Sequence, residues 1–324
     1  MVMLAVHDWN PVLLEIGGPL AIRWYGVAYL LSFVVGFYLL KRLAEKELWV
    51  LPGKEVADFI TFSAIFGVFL GGRIGYILFY MLPAQGLGAI LSDPLVIVRV
   101  WEGGMASHGG IFALVIFTFF YSRKKEVSWT GLGDGLCVVA PVGLFFVRMA
   151  NFINGELYGR IDHGVKWAMR FPGALVDPKA PEYANYQEAA VLVQQHYPME
   201  KGDNYSIEYL KEALRAKPEL HQALEPLLMP RHPSQLYEAF LEGALLFAIL
   251  WGVRLKWPRL GHGVLTGLFF IIYAVGRMTA ESYREPDSAM IGALTKGQFY
   301  STFMIALGIG FLIWGCTKGK RTIN

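Results

Sequence analysis

Cysteine is nearly absent: the 324 residues contain only Cys137 and Cys316, and both fall inside apolar runs. That excludes a disulfide framework and a thiolate metal site. Charge is also scarce, at 17% of residues where an average soluble domain carries about 25%. With a net charge of +3 and no clustered basic face with interleaved aromatics, nucleic acid is excluded as a partner. There is no HExxH or CxxC, and the seven histidines are scattered, so no metal is expected. No GxSxG elbow, Walker loop or GxGxxG unit stands in the right context. The absence of an internal repeat argues against a repeat-built transporter. Met1 to Pro11 lacks a basic region followed by a short apolar core, so no cleavable signal peptide is expected.

What the chain has is apolar length. It is 55% hydrophobic and 15% aromatic, with a mean hydropathy of +0.41. Apolar runs of about 17 residues or more recur, the length a helix needs to cross a bilayer. The fold class is therefore all-α, a polytopic membrane helix bundle. About seven spans are expected, near residues 20–40, 58–80, 108–121, 132–152, 234–254, 262–280 and 298–316. The third is short. Basic clusters follow every second span: Lys41, Arg42, Lys46 and Lys54; Arg123 to Lys125; Arg254, Lys256 and Arg259; Lys318, Lys320 and Arg321. These connections face the cytoplasm by the positive-inside rule, which puts the N-terminus outside and the C-terminus inside. Three parts follow: residues 1–160 with four spans, 161–230 as an outer cap or loop region, and 231–324 with three spans. Within the middle part, 182–195 and 206–214 read as short helices, the latter with Ile207, Leu210 and Leu214 on one face. A mobile linker is the alternative.

Polar residues gather at one depth. In this topology Arg23 and Tyr25, Arg73, His108, Arg148, Gln235 and Glu238, and Arg277 and Glu281 all lie toward the outer ends of their spans. Each charge near mid-membrane costs about 2.5–3.5 kcal/mol on insertion scales. Several at one level point to a shared polar cavity, although end residues also snorkel to the interface. Arg148, Asn151 and Asn154 are spaced by three and share a helix face. A guanidinium beside two carboxamides suits a phosphate, and an ordinary helix end is the plainer alternative. Arg277 and Glu281 are four apart, and Arg284 follows by three. That is either an oriented pair of guanidiniums with net positive charge left over or a structural salt-bridge ladder. His108-Gly109-Gly110 offers a proton acceptor at a place of close backbone approach, and a structural interfacial histidine is the plainer alternative. Gly67, Gly71 and Gly75 form a stripe for close helix packing.

Several of these stretches resemble the prolipoprotein diacylglyceryl transferase family. Asn151 to Arg160 (NFINGELYGR) closely resembles its signature. Arg23 to Gly26, Gly71 to Tyr76, Trp101 to Gly110, Arg231 to Glu238 and Tyr273 to Asp287 are similar to its other motifs, in order along the chain. Val147 and Ala150 stand where the family usually has glycine, and 161–230 is longer than usual. The bulk at 147 bears on the approach to Arg148 or on helix packing and leaves the charge chemistry in place.

The resemblance implies a bacterial inner-membrane enzyme with its site toward the periplasmic leaflet. It implies transfer of the diacylglyceryl unit of phosphatidylglycerol to the lipobox cysteine of a prolipoprotein signal peptide. A thioether forms, glycerol phosphate leaves, and no cofactor is needed. On this reading Arg148 and Arg277 hold the phosphate, and His108 accepts or relays the thiol proton, with Arg277 working through a bound water as the alternative. Tyr25 and Tyr273 position the headgroup or glycerol. Asn151, Asn154, Glu156 and Gly159 shape the substrate site, Glu281 orients Arg277, and Arg73 and Arg284 are further substrate-binding candidates. A phospholipid transporter or scramblase with a charged outer-leaflet cavity is the alternative.

Overall fold

The computed structural model describes residues 5–17, 20–99, 104–199, 205–286 and 290–319. Trp101 to Gly103, Asp287, Lys320 and Arg321 lie outside the described residues. The first elements are two strands, β1 (Val12–Gly17) and β2 (Leu20–Arg23), paired antiparallel with Val12 opposite Arg23. The first span, expected from residue 20, therefore begins later, as helix α1 (Trp24–Glu45). Residues 20–23 are spent pairing with β1 across the Gly17 end, a backbone state that a helix cannot share.

Helix α2 (Gly53–Gly88) follows, with π-helical turns over Ser63–Leu70 and Ile77–Met81. Then come α3 (Ser107–Lys124) and α4 (Trp129–Asn154). Three short helices occupy the middle region: α5 (Tyr186–His196), α6 (Ile207–Ala216) and α7 (Glu219–Leu224). The chain ends with α8 (Ser234–Lys256), α9 (Val264–Glu281) and α10 (Lys296–Thr317). Among the described residues six helices, α1, α2, α4, α8, α9 and α10, are long and apolar enough to cross a membrane. The third expected span, α3, forms as a helix of 18 residues but is not among them. Ser107 and His108 at one end, with Arg123 and Lys124 at the other, dilute its apolar centre.

The chain divides into two compact units. The first holds residues 1–32, 141–246 and 271–306; the second holds 33–140, 247–270 and 307–324. In the first, the middle region is folded around its own core. Leu175, Val193, Leu210, Leu214, Leu220 and Leu224 are all fully buried there. Leu210 and Leu214 lie on the apolar face of α6, and Ile207 packs against the same cluster. Ser206 caps α6, its hydroxyl accepting from the Tyr209 amide at 3.2 Å.

In the second unit the glycine stripe of α2 meets α3. A methyl on Gly71 would strike Ala113, and one on Gly75 would strike Gly109. Only hydrogen at these positions lets the two backbones approach so closely. Asp134 of α4 caps α9, accepting from the amides of Gly263 and Thr266, both at 2.8 Å. Two of the orphan donors at that helix start are thereby satisfied.

Candidate active site

Helix α4 ends in the signature stretch. Gly155 is left-handed (φ 63), its amide donates to the Phe152 carbonyl at 2.8 Å, and the Glu156 amide donates to the Asn151 carbonyl at 3.2 Å. This is a Schellman motif, and its sixth-to-first bond turns the chain back along the helix. Glu156 is thereby brought beside Asn151. The Asn151 carboxamide donates to the Glu156 carboxylate at 2.8 Å, and the Tyr25 hydroxyl donates to the same oxygen. Asn151 also donates to the Tyr25 oxygen. Three residues named from the sequence, on α1, on α4 and on the turn after it, thus form one closed hydrogen-bonded group.

One turn earlier on α4, Arg148 faces α8. Its guanidinium lies 3.2 Å from Glu238 and 3.3 Å from Glu242. Arg277 of α9 reaches the same two carboxylates at 2.5 Å and 3.5 Å, and Glu281 at 2.6 Å. Arg284 adds a 3.1 Å contact to Glu238. Tyr273, one turn before Arg277, stands within electrostatic reach of Glu242, Arg277 and Arg148, and Tyr25 within reach of Arg148. Eight of the site residues expected from sequence therefore share one region of the first unit: Tyr25, Arg148, Asn151, Glu156, Tyr273, Arg277, Glu281 and Arg284.

The charge balance differs from expectation. Glu281 does pair with Arg277, but Glu238 and Glu242 join it, so three guanidiniums face three carboxylates and the cluster sums to zero. The surplus positive charge expected from Arg148, Arg277 and Arg284 is therefore cancelled. The physical reason is insertion: a neutral cluster is far less costly to bury in a membrane than three uncompensated cations. Exposure decides which partner a ligand meets. Glu238 and Glu242 are wholly buried, whereas the side chains of Arg148 and Arg277 keep 16% and 14% of their surface open. The carboxylates act as a backing that fixes the orientation of two planar forks of donors on side chains that keep part of their surface open. Such an array is preorganised for an oxyanion.

Glu242 escapes a reading of the sequence, in which Glu238 stands out only as a polar group at a helix start. The overlooked signal is an acidic residue four positions beyond Glu238 inside the apolar run of α8, since an intramembrane carboxylate marks a functional site by default.

A second network holds the signature turn in place. Arg231, fully buried, donates to both oxygens of Glu182 at 2.7 Å, to Glu285 at 3.0 Å and to the Gly159 carbonyl at 3.1 Å. Ser234 donates to the Leu157 carbonyl at 3.0 Å and Gln235 to the Glu156 carbonyl at 2.6 Å. Gly159 is enclosed by the carbonyls of His232 and Tyr283, where a methyl would collide with both. Arg284 lines the cavity described below and braces Glu238. Nearby, burial first and then the Asp177 carboxylate push the Tyr158 hydroxyl above its ordinary range.

A cavity of about 590 Å3 opens beside this turn, lined by Asn154, Glu156, Lys211, Arg215, Arg284 and Glu285 among others. Asn154 contributes through its backbone, its carbonyl accepting from the Lys211 ammonium. Val147 leaves Arg148 in reach of both α8 carboxylates.

His108 and Arg73 belong to the second unit. His108 is exposed in the first turn of α3. Arg73 is buried and donates to the carbonyls of Val96 at 3.2 Å and Gly104 at 3.0 Å, which ties down the loop between α2 and α3. Among the described residues no group of three or more His, Cys, Asp or Glu is arranged to hold a metal ion.

Residues 11–314 match the family model described as prolipoprotein diacylglyceryl transferase. Relatives named phosphatidylglycerol–prolipoprotein diacylglyceryl transferase include one from Shigella boydii, 34% identical over 97% of this chain and 96% of the relative. One from Escherichia fergusonii is 35% identical over 97% and 96%, and one from Paramagnetospirillum magneticum is 36% identical over 98% of each. The chain belongs to the prolipoprotein diacylglyceryl transferase family.

Proposed function

We propose that this protein transfers the diacylglyceryl group of phosphatidylglycerol to the cysteine thiol of a prolipoprotein. The observation that carries the reading is the convergence of Arg148 and Arg277, from different helices, on the buried carboxylates of Glu238 and Glu242, with both arginine side chains still partly open. In the transfer, the cysteine sulfur forms a bond to the glyceryl carbon while the bond from that carbon to the phosphate oxygen breaks. The thiol proton leaves, and the phosphodiester departs as glycerol phosphate with one more negative charge. Guanidiniums already oriented around that phosphate stabilise the developing charge without reorganising. The thiolate is the competent nucleophile, and His108 is the proposed acceptor or relay of its proton. Tyr25, Asn151 and Glu156 hold the glycerol or headgroup beside Arg148, and Tyr273 does so from α9.

The acceptor cysteine is proposed to lie in a lipobox at the end of a signal peptide. The proposed setting is the bacterial inner membrane, with the N-terminus and site on the periplasmic side. Basic connections after alternate spans support that orientation. Family membership favours transfer over lipid transport.

Purified protein in vesicles of phosphatidylglycerol should add a diacylglyceryl mass to a lipobox peptide, and should leave the same peptide unmodified when its cysteine is serine. No mass shift with the cysteine peptide would overturn the reading.

A further inference from the structure

The end of α4 has one more feature that the transfer chemistry above does not use. The last carbonyls of a helix lack intrahelical donors, and the helix end carries partial negative charge. The Schellman turn satisfies those of Asn151 and Phe152. The carbonyl of Asn154 is taken by the ammonium of Lys211, which reaches it from α6. Lys211 is only 4% exposed, unusual burial for a lysine. It lines the same cavity as Asn154 and Glu156, and a methyl on Gly155 would come within 3.4 Å of its amine. The ammonium thus sits at the negative helix end, against the turn that aims Glu156 at Tyr25 and Asn151.

Resting on the transfer reading above, we propose that Lys211 is a positioning residue for the reaction: its charged amine locks the Asn154–Gly155–Glu156 turn and so keeps Glu156, Tyr25 and Asn151 in their working arrangement. The middle region that contributes α6 thereby touches the signature turn through this side chain.

The groups facing Lys211 make its charge titratable in a workable range. Burial, the largest influence, and Arg215 pull it down to about 8, while Glu156 and Glu208 oppose them. His7, across Gly155, is held low at about 4, by burial first and then by Lys211, so it stays neutral wherever the lysine titrates. Above a pH of about 8 the amine loses its charge, and the contact weakens to that of a neutral donor. Arginine at this position would keep its charge throughout.

The test compares kcat/KM of wild type, Lys211→Arg and Lys211→Met on phosphatidylglycerol vesicles and a lipobox peptide from roughly pH 6 to pH 10, a range spanning the lysine and the thiol. The wild-type to Lys211→Arg ratio cancels the titration of the acceptor thiol. That ratio should be level below pH 8 and fall above it, and Lys211→Met should lose about tenfold at pH 7 through misplacement of the site. A purely structural lysine would change protein yield without bending the ratio. A flat ratio, or Lys211→Met with the wild-type rate and profile, would overturn the proposal. Where Lys211→Met does not fold, the ratio alone decides. A wild-type protein without transfer activity would instead overturn the functional reading on which the proposal rests.

Discussion

Arg148 of α4 and Arg277 of α9 bind the same carboxylate, Glu238 of α8, one through each of its oxygens, at 3.2 Å and 2.5 Å. The arrangement holds two guanidiniums from distant parts of the chain at a common point. It also makes the working cations dependent on a residue that no substrate needs to touch.

Replacing either arginine should remove most of the transition-state stabilisation. Arg148→Ala and Arg277→Ala are each expected to lower turnover by at least 10²–10³-fold, the scale for loss of one oxyanion donor. Arg148→Lys should also be poorly active, because a single ammonium cannot reproduce the planar fork. Initial rates of peptide modification check this, with membrane insertion followed by protease protection. Full activity in either alanine variant would remove the phosphate-clamp assignment.

Glu238→Gln should be damaging in two measurable ways. It leaves Arg148, Arg277 and Arg284 with an uncompensated charge, and breaking a buried ion pair typically costs about 3–5 kcal/mol. The variant should melt at lower temperature in detergent and should bind phosphatidylglycerol with its turnover impaired. Glu242→Gln should do the same more mildly, since its contacts at 3.3 Å and 3.5 Å are longer. A variant with normal melting and normal turnover would show that the carboxylates do not orient the arginines.

His108→Gln tests the proton path. Without an acceptor the reaction must wait for the free thiolate, so the deficit should be largest near neutral pH. It should shrink as pH approaches the intrinsic thiol pKa of about 8.5. A pH-independent deficit in kcat/KM would assign His108 to scaffolding.

Stability should depend on His7. Burial, aided by Lys211, lowers it from 6.5 to about 4, so between those values the unfolded chain binds a proton that the folded protein refuses. Stability is then fully present above pH 6.5 and is lost as pH falls toward 4, by up to about 3 kcal/mol. His7→Phe should flatten this dependence in thermal melts between pH 7 and pH 4. An unchanged slope would assign the acid sensitivity to other groups.

Much of this was legible in the chain itself. Apolar length alone locates the six long helices, and spacing places Arg148 with Asn151, and Arg277 with Glu281, because periodicity along one helix is a local property. The glycine stripe of α2 likewise announces a close neighbour. What spacing cannot convey is partnership across sequence distance. Glu238 and Glu242 lie about ninety residues from Arg148, and nothing local says which face of α8 meets which face of α4. The expected positive surplus failed for that reason. The Lys211 contact is hidden in the same way, since its helix reads as an ordinary amphipathic segment until its amine is seen at the end of α4. The β1–β2 hairpin was masked by its apolar residues, which read as the start of a span.

The grip of Arg231 on Glu182, Gly159 and Glu285 has a bearing on biosynthesis. A ribosome delivers the signature turn more than a hundred residues before Tyr283 and Glu285, whose backbone and carboxylate complete its enclosure. While the nascent polypeptide is still threading into the bilayer, that turn has only part of its lattice of contacts. Completion of that lattice is thus coupled to synthesis of the ninth helix and the residues just beyond it.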